Sequence, residues 1–146
     1  MNIFGYAAPI ILVIVSNTLY HLICKNTPSF VNPFAGLIVT YGTAFLGSII
    51  LMFITKKTTV YEEIQQLSIA NLLMGLVIIG VEGGYMLMYQ KGWEISKGSL
   101  IANISIAVIL FFIGKMFFNE SVSIQKILGI IACIIGIFLE TVSSFV

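Results

Sequence analysis

The sequence predicts an all-α membrane protein: five transmembrane helices in a single domain, residues 1–146. Hydrophobic residues make up 59% of the chain and charged residues 9%, whereas a soluble domain carries about 25% charged residues. A hydrocarbon core about 30 Å thick needs about 20 apolar helical residues to cross it. Five segments meet that length: Ile3–Cys24, Pro33–Thr55, Ile69–Gln90, Ser96–Phe118 and Ser123–Val142.

Local signals place the first helix boundaries. The N-terminal apolar run lacks a positive leader and exceeds the 7 to 15 residues of a signal-peptide core, so we expect it to be kept as the first span. Asn32 before Pro33 starts the second helix, because the Asn side chain caps free amides and the missing proline N–H costs nothing there. Thr59 and Glu62 form a Thr-x-x-Glu capping box, which predicts a short interfacial helix before the third span.

The later boundaries are set by polar turns. Gly92 ends the third span. The neighbouring Trp93 has an amphipathic ring, which favours the membrane surface. Asn119 and Glu120 separate the last two spans, and Ser121 or Ser123 caps the fifth helix.

Composition also excludes several functions. The formal charge of +1 without any arginine gives no basic face, so we expect no nucleic-acid partner. The two cysteines and the lone histidine show no metal or redox spacing, and no Walker motif is present. We therefore expect no metal, no cofactor and no enzymatic activity.

Glu82 is the main candidate functional residue. It lies near the middle of the third span, where an ionised side chain costs about 2.5 to 3.5 kcal/mol even on the mildest scale. Such a residue must be buried against other helices, hydrated or protonated. One hypothesis is an acid that exchanges a proton or binds a cation, and the alternative is a structural acid paired with Lys.

Other polar side chains are predicted to lie near Glu82. Tyr85 lies three residues after Glu82 and Tyr89 four residues after Tyr85, so both share its helix face by the i+3 and i+4 rule. If the spans alternate in direction, Asn17 and Asn103 lie in the same half of the membrane, and all four side chains line one cavity. The alternative is that the two asparagines only join helices. His21 is either a further site residue or a solvated side chain near the membrane surface.

Small residues predict where helices touch. Gly80 and Gly84 form a GxxxG pair, and Gly129 and Gly136 each belong to a small-xxx-small pair in the last span. Such spacings let helix backbones approach closely. We expect these four glycines near helix contacts.

The last third of the chain, LFFIGKMFFNESVSIQKILGIIACIIGIFLE, resembles the closing pattern of EamA-like members of the drug/metabolite transporter superfamily. Asn119, Glu120 and Ser123 match the family's turn, while Gly129, Cys133 and Gly136 match its small-residue helix. Upstream, YQKGWEISKGSLIANI resembles the family's turn between the third and fourth helices. The resemblance implies a multi-pass protein of the bacterial plasma membrane.

Full-length family members resemble two five-helix units in tandem, and this chain is one unit. The resemblance therefore implies one inverted-repeat unit of a ten-helix transporter, whose second half is another copy or a homologous half-transporter in antiparallel orientation. The expected function is secondary, proton-coupled transport of a small organic solute. The alternative is a non-transporting subunit that packs with or regulates another membrane protein.

The lysine distribution leaves the orientation nearly balanced. Four lysines fall on one side of the predicted topology, namely Lys56, Lys57, Lys115 and Lys126, and three on the other, Lys25, Lys91 and Lys97. A difference of one lysine favours neither orientation strongly. An antiparallel pair requires that the chain insert in both orientations.

Overall fold

The structure, a computed structural model, describes residues 3–143 apart from residues 57 and 122, and without the side chains of residues 3–6, 137 and 140–143. The described part is all-helical, in the order α1 (Ile3–Asn26), α2 (Pro33–Thr55), α3 (Val60–Gln65), α4 (Ile69–Gln90), α5 (Ile95–Phe117) and α6 (Ile124–Ser143). The all-α class is therefore confirmed.

Four of these helices are long and apolar enough to cross a membrane. The spans are Ala7–Asn26, Pro33–Thr55, Ile69–Gln90 and Ile95–Phe117, which makes the chain a multi-pass membrane protein by length and composition. In α6 the described apolar stretch, Ile124–Gly136, is shorter. A fifth span therefore stays a prediction.

Local hydrogen bonds explain where the helices begin. Asn32 Oδ1 accepts from the amides of Phe34 at 2.9 Å and Ala35 at 3.4 Å, so the predicted cap of α2 is confirmed. The predicted capping box of α3 is also confirmed: the Glu62 amide donates to Thr59 Oγ1 and the Thr59 amide donates to Glu62 Oε2. The latter bond lowers the pKa of the Glu62 carboxyl.

The chain divides into two compact units, residues 1–92 and 93–146. In the first unit α4 packs against both α1 and α2. The unit ends at Gly92, whose amide donates to the Tyr89 carbonyl and whose φ of +93° is a conformation that suits glycine.

In the second unit α5 packs against α6. The Glu120 amide donates to the Gly114 carbonyl at 3.1 Å, and the intervening Asn119 has a φ of +49°. This left-handed turn ends α5. Ser123 Oγ then accepts from the Lys126 amide at 3.3 Å, so Ser123, and not Ser121, caps α6.

Candidate functional site

A cavity of about 660 Å³ lies among α1, α2 and α4 of the first unit, and Glu82 forms part of its wall. The wall is mostly apolar, with side chains such as Leu37 and Met86. Its polar or polarisable lining residues are Tyr20, Cys24, Thr27, Thr40, Thr43 and Glu82. An acid set in an apolar wall of this volume is typical of a small-molecule site.

Glu82 is half-buried and has no ion-pair partner among the described residues. The other described lining residues, Tyr20 and Cys24 among them, carry no charged side chain. The alternative of a structural acid paired with Lys therefore finds no support in the described part of the chain. The carboxylate is left available to a cation, a proton or water.

Next to the cavity, four aromatic rings join α1 to α4. His21 packs edge-on against Tyr85 with ring centroids 4.8 Å apart, and Tyr20 packs edge-on against the same ring at 5.9 Å. Tyr89 stacks on Tyr85 at 6.4 Å. We call these four residues the aromatic cluster. Because Tyr20 also lines the cavity, the cluster fixes one of the cavity walls.

His21 is buried, with 5% of its surface exposed. Its Nδ1 is hydrogen-bonded to the Tyr89 hydroxyl at 2.9 Å, and the Lys25 ammonium lies 5.9 Å from the centroid of the Tyr89 ring. The interpretation of His21 as a solvated surface side chain is therefore wrong. Its place near the end of α1 brings it against the end of α4, which shields it from solvent.

Three buried polar atoms lack a hydrogen-bond partner among the described residues: the Tyr20 hydroxyl, the Tyr41 hydroxyl and His21 Nε2. The Tyr20 hydroxyl interacts with the Cys24 thiol, one helical turn on, but outside normal hydrogen-bond geometry. Buried polar atoms without a hydrogen bond are uncommon, and each such atom can still bind a further partner. One of the three belongs to Tyr20, which lines the cavity together with Glu82.

The structure places the other predicted site residues differently. Tyr85 and Tyr89 share the Glu82 side of α4, as predicted, but they belong to the aromatic cluster and are not among the residues lining the cavity. Asn17 is exposed on α1 and does not line it either. Asn103 lies in the second unit, where its side-chain Nδ2 donates to the Ser99 carbonyl at 2.8 Å.

The glycines that touch other helices in the first unit are not the predicted ones. A Cβ on Gly83 would lie 3.3 Å from Phe34 Cε1, and one on Gly36 would lie 3.2 Å from Met86 Cε. These contacts let α4 approach α2 closely. At Gly80, Gly84, Gly129 and Gly136 a Cβ would meet nothing within 4 Å of the described residues.

In the second unit, the Glu120 side chain folds back over α5. Its carboxylate would lie 3.1 Å from a Cβ on Gly114, and Lys126 Nζ lies 3.9 Å from Glu120 Oε2. The Lys126 ammonium also donates to the Ser121 carbonyl at 3.1 Å. Glu120 therefore helps to shape the turn between α5 and α6, the segment that carries the family resemblance.

Several lining residues were missed by the sequence analysis. Tyr20 and Thr40 carry no motif, Thr43 belongs to a small-xxx-small pair with Gly47, and the place of all three in the cavity depends on how α1 and α2 pack against α4. One signal was available: hydroxyl-bearing or thiol side chains recur at positions 20, 24 and 27 and at 40 and 43, with helical spacing. Among the described residues, no group of three His, Cys, Asp or Glu residues is suited to a metal ion.

The chain matches no protein-family model, no curated protein and no solved structure. Class and function therefore rest on the residues themselves. The class that the fold and composition define is a multi-pass helical membrane protein whose first unit holds a mostly apolar cavity with Glu82 in its wall.

Proposed function

We propose that this chain is a half-sized, EamA-like secondary transporter that moves a small organic solute with proton coupling and works as an antiparallel dimer. The observation that carries the proposal is the position of Glu82, which faces a cavity of about 660 Å³ without an ion-pair partner among the described residues. A carboxylate in an apolar helix is energetically costly, and ionisable residues of this kind mark transport pathways and binding sites. In this mechanism Glu82 carries a proton in one state and pairs with solute or water in the other.

The proposal includes a fifth span and a second chain. With α6 as the fifth span, the two termini lie on opposite sides, and a second copy inserted in the opposite orientation supplies the other half of a ten-helix inverted repeat. The nearly equal lysine count on the two sides supports insertion in both orientations. The exposed glycines Gly80 and Gly84 give α4 a face on which another helix can pack closely.

That same exposed face favours one alternative, a non-transporting subunit that packs against another membrane protein. Such a subunit needs the Gly80–Gly84 surface but has no use for a titratable group in a cavity. The two functions therefore differ in what they require of Glu82.

Reconstitution tests the proposal. Purified protein in liposomes should produce solute-dependent proton flux, read with an entrapped pH-sensitive dye, and Glu82→Gln should abolish it while leaving the helical circular-dichroism signal intact. Gln keeps the shape and hydrogen-bonding capacity of Glu but cannot titrate. Glu94→Gln is the matched control, because Glu94 is exposed and its ion pair among the described residues is with Lys97, three positions on. Unchanged rate and pH dependence in Glu82→Gln would show that Glu82 is structural.

A further inference from the structure

We infer that the cavity at Glu82 binds a protonated primary or secondary amine with an apolar body. The inference rests on the proposed function, since it names the class of solute that the same site would carry. It follows from the charge of Glu82, from the hydrogen bonds that the lining threonines already donate, and from the volume of the cavity and the apolar side chains in the rest of its wall.

Charge comes first. Glu82 is the one charged residue among those lining the cavity in the described part of the chain. In surroundings of low dielectric constant an unpaired carboxylate is costly, and a ligand that brings a positive charge removes that cost. An anionic ligand would place two like charges together in the same wall. The site therefore selects a cation.

The threonines decide what kind of cation. The hydroxyls of Thr27, Thr40 and Thr43 each donate to a carbonyl of their own helix, at 3.0, 3.1 and 2.9 Å respectively. A hydroxyl has one proton to donate and two lone pairs, so each of these side chains can offer the cavity only an acceptor. Together with the Glu82 carboxylate they form a set of four acceptors, which outnumber the two donors, the Tyr20 hydroxyl and the Cys24 thiol, among the described lining residues.

A primary ammonium group carries three N–H donors and suits that set. A quaternary ammonium group has the same charge but no N–H to donate. Proteins that bind quaternary ammonium groups surround them with several aromatic faces, whereas Tyr20 is the one aromatic residue among the described lining residues. Hydrogen-bond donors, and not charge alone, therefore distinguish the preferred ligand.

The rest of the wall accepts an apolar body. Leu37, Val39 and Ala44 from α2 and the flexible Met86 from α4 line it, and methionine adapts well to ligands of different shape. The volume of about 660 Å³ falls in the range of small-molecule pockets. An alkyl or aryl chain attached to the ammonium group would replace water against these side chains.

The test is equilibrium binding to the purified full chain by isothermal titration calorimetry with three matched probes: 3-phenylpropylamine, its N,N,N-trimethyl quaternary analogue and 4-phenylbutyrate. We expect the amine to bind about tenfold tighter than the quaternary analogue, a difference that one hydrogen bond can supply, and the carboxylate not to bind. Glu82→Gln should lose amine binding, and Glu94→Gln should keep it.

A second variant isolates the threonines. The double variant Thr40→Val, Thr43→Val preserves the shape of both side chains but removes their lone pairs, so it should narrow the preference for the amine over the quaternary analogue. Equal or tighter binding of the quaternary or anionic probe, binding of none of the three, or amine binding unaffected by Glu82→Gln would each overturn the inference. Selective amine binding without proton flux would instead contradict the transport proposal, and flux without that selectivity would contradict the inference alone.

Discussion

The Tyr89 hydroxyl and His21 Nδ1 are hydrogen-bonded at 2.9 Å, and this bond links α4 to α1 across 68 positions of sequence. Both side chains are buried. Whichever ring nitrogen carries the proton, His21 Nε2 has no partner among the described residues. The bond from Nδ1 to the Tyr89 hydroxyl is therefore the one hydrogen bond that the imidazole makes with a described residue. The bond also anchors the aromatic cluster that supports the cavity wall at Tyr20.

Tyr89→Phe should therefore destabilise the first unit. The substitution removes the hydroxyl and leaves His21 buried without a hydrogen bond to a described residue, which costs about 1 to 3 kcal/mol. The measurement is the midpoint of thermal unfolding in detergent, with Tyr61→Phe as the matched control because Tyr61 is 70% exposed. Equal midpoints for the two variants would show that the His21–Tyr89 bond contributes nothing.

The helix boundaries could be predicted because their signals are local. The caps at Asn32 and Thr59 depend on side chains within three residues of the amides they bind, and the observed bounds of α2 and α4 agree with the predicted ones. A span is also recognisable from length and apolar composition alone. Nothing beyond the segment itself is needed to identify such features.

The site could be predicted only in part. Glu82 was identifiable because an ionisable residue near the middle of an apolar segment can be recognised from the sequence of that segment alone. The burial of His21 and the role of Tyr20 depend on which faces of α1 and α4 meet, and no local pattern encodes that meeting. The GxxxG spacing drew attention to Gly80 and Gly84, although the close contact with α2 is made by Gly83.

Gly83 and Gly84 should respond differently to enlargement. Gly83→Leu should lower the unfolding midpoint, because its Cβ would already lie 3.3 Å from the Phe34 ring and overpacking costs about 1 to 3 kcal/mol. A Cβ on Gly84 would meet no atom of the described residues within 4 Å, so the Gly84→Leu protomer should fold normally. If Gly84 contacts a second chain, this variant should weaken the dimer, measured by cross-linking in liposomes. Unchanged cross-linking of the dimer would show that the interface does not include the Gly80–Gly84 face.

Cysteine labelling should report five spans. In a chain lacking its two native cysteines, Asn2→Cys and Phe145→Cys, which lie outside the described residues, mark the two termini. An odd number of spans places the termini on opposite sides, so an impermeant maleimide added from one side should label one terminus of a given molecule and never both. Double labelling in every molecule would rule out the fifth span.

Orientation trapping tests the antiparallel arrangement itself. Lysines added at Ser29 and Ser96 should hold their loops in the cytoplasm, and lysines added at Thr58 and Ser121 should hold the opposite set there, because the native excess is a single lysine and positive loops stay inside. Each trapped form lacks an inverted partner, so each alone should lose solute-dependent proton flux, and co-expression of both should restore part of it. The measurement is flux in vesicles from cells expressing one form or both, with protein amounts matched by immunoblot. Full activity from either trapped form alone would mean that a parallel assembly or a single chain is sufficient, and the inverted-repeat model would be wrong.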